Sequence, residues 1–282
     1  MSIFEAIILG VIQGLTEFLP ISSTGHLTLA GKLMNLINPD NPEQWTAFIA
    51  VIQLGTLVAV VGYFWKDIIQ IISDFFTDNL FHRKVFKEQS LNSKIGWYII
   101  IGTIPVVIVG LGFKDFIEGS FTKNLYVIAC SLIVLGIILA IAEKVGKFKK
   151  ELTGITYLDA FLVGVAQAIS LIPGSSRSGT TITGGLFLGF KRETAARFSF
   201  LLSIPAVLAS GLLEFYESMK FIDADGIVNL IAATLAAAIS GYLTIGFLLK
   251  FLRNHSTFVF VYYRVIIGVI ILILISIKII NP

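Results

Sequence analysis

Polar and apolar positions divide the chain into long apolar runs separated by short charged loops. Six runs are long enough to cross a bilayer: residues 46–65, 95–113, 124–142, 198–213, 227–249 and 258–277. A helix needs about twenty apolar residues to span a hydrocarbon core. Five of the six hold no acidic or basic side chain. The last holds Arg264 near its start, which predicts snorkelling or pairing with a neighbour.

Two further apolar regions are broken. Residues 3–37 are interrupted at Pro20 and the SSTGH run, and residues 155–190 at IPGSSRSGTT. The arm after each break is about a dozen residues, about 18 Å as helix, against a core of about 30 Å. Both regions therefore read as re-entrant hairpins that enter the membrane and turn back.

Loop charge adds orientation. Residues 66–94 and 143–151 are rich in Lys and Arg, and two spans separate them, so they lie on one side, the cytoplasmic one. Parity adds the KRETAAR run from Lys191 to Arg197 and the loop with Lys250 and Arg253 to that side. The more acidic residues 38–43 and 214–225 fall outside. The first hairpin then starts and ends outside and the second inside, each followed by three spans. This is an inverted-topology repeat, with halves of about 1–142 and 155–280. The letters agree: GVIQGLTEFLPISSTG in the first half faces GVAQAISLIPGSSRSG in the second, with one gap between Gln and Pro. Folds of this plan place a binding site where the breaks meet.

Composition changes little in this picture and excludes much. Of 282 residues, 56% are hydrophobic and only 14% charged, with a mean hydropathy of +0.88, so the chain is an all-α integral membrane protein forming a single membrane domain, 1–282. The formal charge of +3 is spread over loops and argues against nucleic-acid binding. One cysteine, Cys130, allows neither an internal disulfide nor a cysteine metal cluster. The amino-terminal residues lack a basic region and a cleavage site, so no cleaved leader is expected.

The candidate chemistry sits at the breaks, where ionisable groups are rare and functional. The first brings Gln13, Glu17, Ser22, Ser23, Thr24 and His26; the second brings Ser175, Ser176, Arg177, Ser178, Thr180 and Thr181. Arg177 offers a planar fork matched to phosphate oxygens. Each break ends as a helix begins, aiming free amides and a positive dipole at the gap. Gln13 and Glu17 share a helix face. Glu17 is a candidate ligand for a divalent cation or a proton carrier. His26 follows Ser23 by three residues, which brings a base toward a hydroxyl that needs one to act as a nucleophile. GSSRSGTT has P-loop glycine spacing but Thr180 where that loop needs lysine, and no strand precedes it.

These stretches resemble the undecaprenyl-diphosphate phosphatase family, the bacitracin-resistance membrane proteins. The likeness rests on QGLTEFLPISSTGHL at 13–27, VIQLGTLVAVV at 51–61, PGSSRSGTT at 173–181 and FSFLLSIPA at 198–206, and covers nearly the whole chain. It implies hydrolysis of a polyprenyl diphosphate to the monophosphate and inorganic phosphate, recycling a cell-wall lipid carrier. It implies Glu17, Ser23, His26 and Arg177 as catalytic residues. Gln13, Ser22, Thr24, Ser176, Arg177 and Thr181 would bind phosphate. It further implies a divalent cation, usually Mg2+, on Glu17; a bacterial cell membrane location; and often a homodimer. The charge scheme turns the site toward the outer face. Where many relatives have glutamate, this chain has Gln13, a weaker metal ligand. Two phosphoryl-transfer routes stay open: attack by Ser23 with help from His26, or activation of water by His26 or Glu17. A flippase or another transporter of anionic lipid is the rival class, because the same repeat plan serves transport.

Overall fold

The computed structural model describes residues 1–37, 42–113, 124–218 and 224–281. The loop residues 38–41 and 219–223, on which part of the acidic-loop expectation rests, lie outside the described residues. Among those described the chain is all helical apart from one isolated bridge between Lys150 and Phe190. Six helices are long and apolar enough to cross a membrane. They are α3 (Pro42–Tyr63), α5 (Leu91–Gly112), α6 (Leu125–Val145), α9 (Arg192–Ser218), α10 (Ala224–Asn254) and α11 (Phe258–Ser276). All six match the runs read from the sequence.

The two broken regions form helix pairs. The first is α1 (Ile3–Phe18) with α2 (Ser23–Leu33); the second is α7 (Tyr157–Ile169) with α8 (Arg177–Phe187). Both α2 and α8 have 11 residues, about 17 Å of helix. Each pair opens on a capping box, Ser2 with Glu5 and Thr156 with Asp159, so the first turn's amides are satisfied. Glu5 and Asp159 therefore stabilise helix starts far from the breaks.

One constant spacing relates Gly10 to Gly164, Gln13 to Gln167, Ser22 to Ser176 and Gly25 to Gly179. Ser22 and Ser176 both adopt positive φ, 75° and 69°, and their hydroxyls accept from the amides of Gly25 and Gly179. The halves thus align without a gap, and Pro20 corresponds to Gly174 rather than to Pro173. The gap in the letter alignment came from matching prolines. The packing partners correspond too: α1 lies against α10 and α7 against α5, while α6 meets α11 and α3 meets α9. Between them sits a core that includes Phe18, Phe64 and Phe200, with the Phe18 and Phe200 rings edge to face at 5.3 Å.

The loops that charge assigned to one side meet at one end of the bundle. Arg197 pairs with Asp67 at 2.7 Å, Arg253 with Glu193 at 2.7 Å, and Lys191 with Glu151. Buried Glu143 at the end of α6 takes Arg192 and the hydroxyl of Thr257, joining three helices there. At the opposite end Asn229 donates to the Met1 carbonyl and Lys32 to that of Asn281. The segment 66–94 is not a plain loop. It contains an amphipathic helix, α4 (Trp65–Phe76), continued by a π-helical turn at Thr77–Phe81. Trp65, Ile69, Ile72, Phe76 and Leu80 form an exposed apolar stripe along it.

Close approach of α1 to α10 requires glycine. A Cβ on Gly10 would lie 2.1 Å from the Ala233 carbonyl oxygen, and one on Gly164 would lie 2.3 Å from that of Gly102. Gly10→Leu is therefore expected to cost about 1–3 kcal/mol through overpacking. It should lower the thermal unfolding midpoint in detergent by several degrees, whereas Val11→Leu on the adjacent exposed face leaves it unchanged.

Candidate active site

Sequence places a carboxylate one residue before the end of α1 and a hydroxyl at the start of α2. The break between them, Leu19 to Ser22, folds the second helix back so that the two side chains meet. Ser23 Oγ donates to Glu17 Oε2 at 2.6 Å. Gln13, one turn earlier on α1, donates to the same oxygen at 3.2 Å. From the other half, Arg177 Nη2 donates to Glu17 Oε1 at 2.8 Å. Glu17 is thus the centre of the cluster: its two oxygens take three donors from both halves of the chain. Its side chain is 6% exposed and that of Arg177 14%. In such surroundings the ion pair is strong and directional.

The groups left without partners define what is missing. Arg177 Nε and Nη1 and Gln13 Oε1 are buried with no hydrogen bond among the described residues. A buried unpaired donor costs about 1–3 kcal/mol, more when charged. The backbone adds to this. Among the described residues the amides of Ser23 and Thr24, at the start of α2, have no partner, and neither do those of Arg177 and Ser178 at the start of α8. Two helix N-termini and two guanidinium donors are therefore open to an anion with several oxygens.

Several expected side-chain roles are taken by other atoms. The Ser22 and Ser176 hydroxyls are spent on capping, so at these positions the neighbouring amides, not the hydroxyls, are open to phosphate. Thr181 bonds the Arg177 carbonyl at 2.7 Å and Ser199 Oγ at 2.6 Å, which anchors the first turn of α8 to α9. Thr24 is exposed. His26 is not the partner of Ser23. Its Nδ1 lies 2.7 Å from the Ser22 carbonyl, so that nitrogen carries the proton. Nε2 then accepts from the Tyr263 hydroxyl at 2.7 Å. Both ring nitrogens are occupied, and the group facing Ser23 is the Glu17 carboxylate.

Helix α11 contributes two residues that the sequence reading missed or misplaced. Tyr263 orients His26. Arg264 does not snorkel: it is 1% exposed and donates to backbone carbonyls at both breaks. Ser178 was expected among the site hydroxyls; it ties the breaks directly, donating to the Leu19 carbonyl at 2.9 Å. The sequence signal for α11 was a tyrosine and an arginine adjacent in an otherwise apolar span.

The donor set does not fit a resident divalent cation. Among the described residues no three His, Cys, Asp or Glu side chains converge. Both Glu17 oxygens are engaged by donors, one of them a guanidinium. Gln13 Oε1 is the one unengaged side-chain oxygen of the Gln13–Glu17 pair. The expectation of a cation on Glu17 is therefore not met by this arrangement.

Comparison with known proteins places the site in a lineage. The family described as bacitracin resistance protein BacA matches residues 6–270. A protein of Syntrophobacter fumaroxidans named undecaprenyl-diphosphatase is 60% identical over 268 residues, covering 95% of each chain. Proteins of the same name from Chlorobium phaeobacteroides and Chlorobium phaeovibrioides are 50% and 48% identical, covering 98% of each chain. With a match over nearly all of its length, and with the paired breaks falling inside it, the chain belongs to the BacA family of bacitracin resistance proteins.

Proposed function

We infer that this chain is an undecaprenyl-diphosphatase of the bacterial cell membrane, releasing inorganic phosphate and returning the lipid monophosphate. One observation supports this most: a serine hydroxyl held 2.6 Å from a carboxylate, beside an arginine with two unspent donors. A carrier needs an anion site but not a poised nucleophile and base. The names of the relatives also point to hydrolysis rather than flipping.

In this reading the two broken-helix pairs are re-entrant, the polyprenyl tail stays in the bilayer, and the diphosphate enters between the breaks. Arg177 Nε and Nη1 and the open amides of α2 and α8 hold the phosphoryl oxygens. They stabilise charge in the transition state, which is most of what phosphoryl transfer requires. Ser23 Oγ attacks the terminal phosphorus and passes its proton to Glu17. The bond to the bridging oxygen breaks and undecaprenyl phosphate leaves. Glu17 gives that proton to the departing phosphate oxygen, then deprotonates a water that attacks the phosphoserine, and returns the second proton to Ser23 Oγ as inorganic phosphate leaves. Gln13 holds the carboxylate in register. The cleft opens to the outer face, following the charge scheme. A divalent ion, if one takes part, arrives on the diphosphate rather than residing on Glu17.

Phosphate release from a polyprenyl diphosphate by the purified protein tests the reading. Loss of a nucleophile costs several orders of magnitude, so Ser23→Ala should lower kcat by about 1,000-fold or more. A Ser23→Ala protein retaining most of its rate would overturn the phosphoserine route. Glu17→Gln should cost about 100-fold or more, as expected for a general base. Tyr263→Phe releases only His26 and should cost less than about tenfold; a loss as large as that of Glu17→Gln would return the role of base to His26. For orientation, an amino-terminal tag should be reachable from outside intact cells, and protection of that tag would reverse the assignment.

A further inference from the structure

Among the described residues Arg264 is the largest fully buried side chain, and it hydrogen-bonds neither Glu17 nor Ser23. Its hydrogen-bond partners among the described residues are all backbone carbonyls. Nη2 donates to Ser175 at 2.9 Å and to Gly174 at 3.5 Å, both in the second break. Nη1 donates to Pro20 in the first break at 3.3 Å. Nε reaches Leu132 at 3.2 Å and Nη2 reaches Ser131 at 3.4 Å, both on α6. Pro20 and Gly174 are the equivalent positions of the two halves. One guanidinium therefore holds the same carbonyl of both breaks.

The physics of a broken helix explains the choice of residue. Each break leaves carbonyls at a helix C-terminus and amides at the next N-terminus. The carbonyl ends of α1 and α7 are negative and the amide ends of α2 and α8 positive. A cation on the carbonyl side satisfies one set and leaves the other open to the substrate. Only the arginine fork can reach carbonyls on three elements at once; a lysine offers three donors from a single point. The breaks need such a brace, because Ser22 and Ser176 hold positive φ, a strained region for residues with a Cβ. Neighbouring positions make room for it: a Cβ on Gly179 would lie 2.5 Å from Arg264 Nη1.

We propose that Arg264 is a positioning residue for phosphoryl transfer, bracing the two breaks against each other so that Ser23 and Glu17 of one half meet Arg177 of the other. The proposal rests on the phosphatase reading for its kinetic consequence but not for its structural one. A misplacement of about 1 Å at a reacting group costs about 100-fold. Arg264→Lys keeps the charge and loses the span. It should lower kcat about 100-fold with KM within about threefold of wild type.

Amide hydrogen exchange in detergent supplies the readout that a general structural role would not move. Arg264→Lys should lose protection at 19–26 and 172–180 while α5 and α10 keep theirs. Gly179→Ala leaves Arg264 in place but intrudes on Nη1, and should reproduce both effects; it decides the matter if the lysine variant does not fold. Kcat within threefold of wild type, or loss of protection spread evenly over the bundle, overturns the proposal. If the wild-type protein releases no phosphate, the phosphatase reading fails alone, and the exchange comparison still decides whether Arg264 fixes the breaks.

Discussion

Two helices interrupted inside an apolar bundle set the constraint on which this structure depends. An interruption exposes backbone groups where no bulk water can satisfy them, and each group left unpaired is costly. The protein answers asymmetrically. Carbonyls at the breaks are taken by Arg264 and Ser178. The amides at Gly25 and Gly179 go to the capping serines, and those at Ser23, Thr24, Arg177 and Ser178 stay open. The site is the part of the interruption that the protein does not pair with itself. Its preference for an anion follows from that division before any catalytic side chain is considered.

Symmetry brings the breaks together, and departures from symmetry make the chemistry. At equivalent positions Ser23 corresponds to Arg177, Glu17 to Leu171 and His26 to Thr180. The first half thus carries a hydroxyl and a carboxylate, the second a guanidinium. The Glu17–Arg177 ion pair joins them, at 2.8 Å. Arg264 likewise has no twin, since one residue at the crossing of α6 and α11 reaches both halves. A Cβ on Gly136 would lie 3.3 Å from Arg264 Cβ, so α6 comes close at that point.

Much of this was legible in the sequence, for identifiable reasons. Spans and breaks follow from run length and from Pro, Gly and Ser in otherwise apolar stretches. Gln13, Glu17, Ser23 and Arg177 stood out because polar groups are scarce there. What was missed depends on contacts distant along the chain. His26 is three residues from Ser23, and local spacing suggested a pair, but Ser22 and Tyr263 claim the ring. Arg264 was expected to snorkel or to pair with a neighbour, and it takes the second course, with backbone carbonyls rather than a side chain. Its carbonyl partners belong to breaks that no local pattern connects to α11. The amphipathic α4 carried a readable stripe, Trp65, Ile69, Ile72 and Phe76, which loop charges obscured.

Gln13 illustrates how one atom type changes a site. With glutamate at 13, two buried carboxylates would face each other one turn apart, and neutrality would call for a cation or a shared proton. An amide instead donates to Glu17 Oε2, adding to the donors from Ser23 and Arg177. The carboxylate is then met by donors from the protein, and Gln13 Oε1 is left buried without a partner among the described residues. Holding Glu17 by hydrogen bonds leaves its oxygen in contact with the serine proton. A cation in the same place would compete with that proton for the lone pairs. The amide at 13 and the carboxylate's position opposite Ser23 are therefore parts of one arrangement, in which Glu17 is held by hydrogen bonds from both halves of the chain.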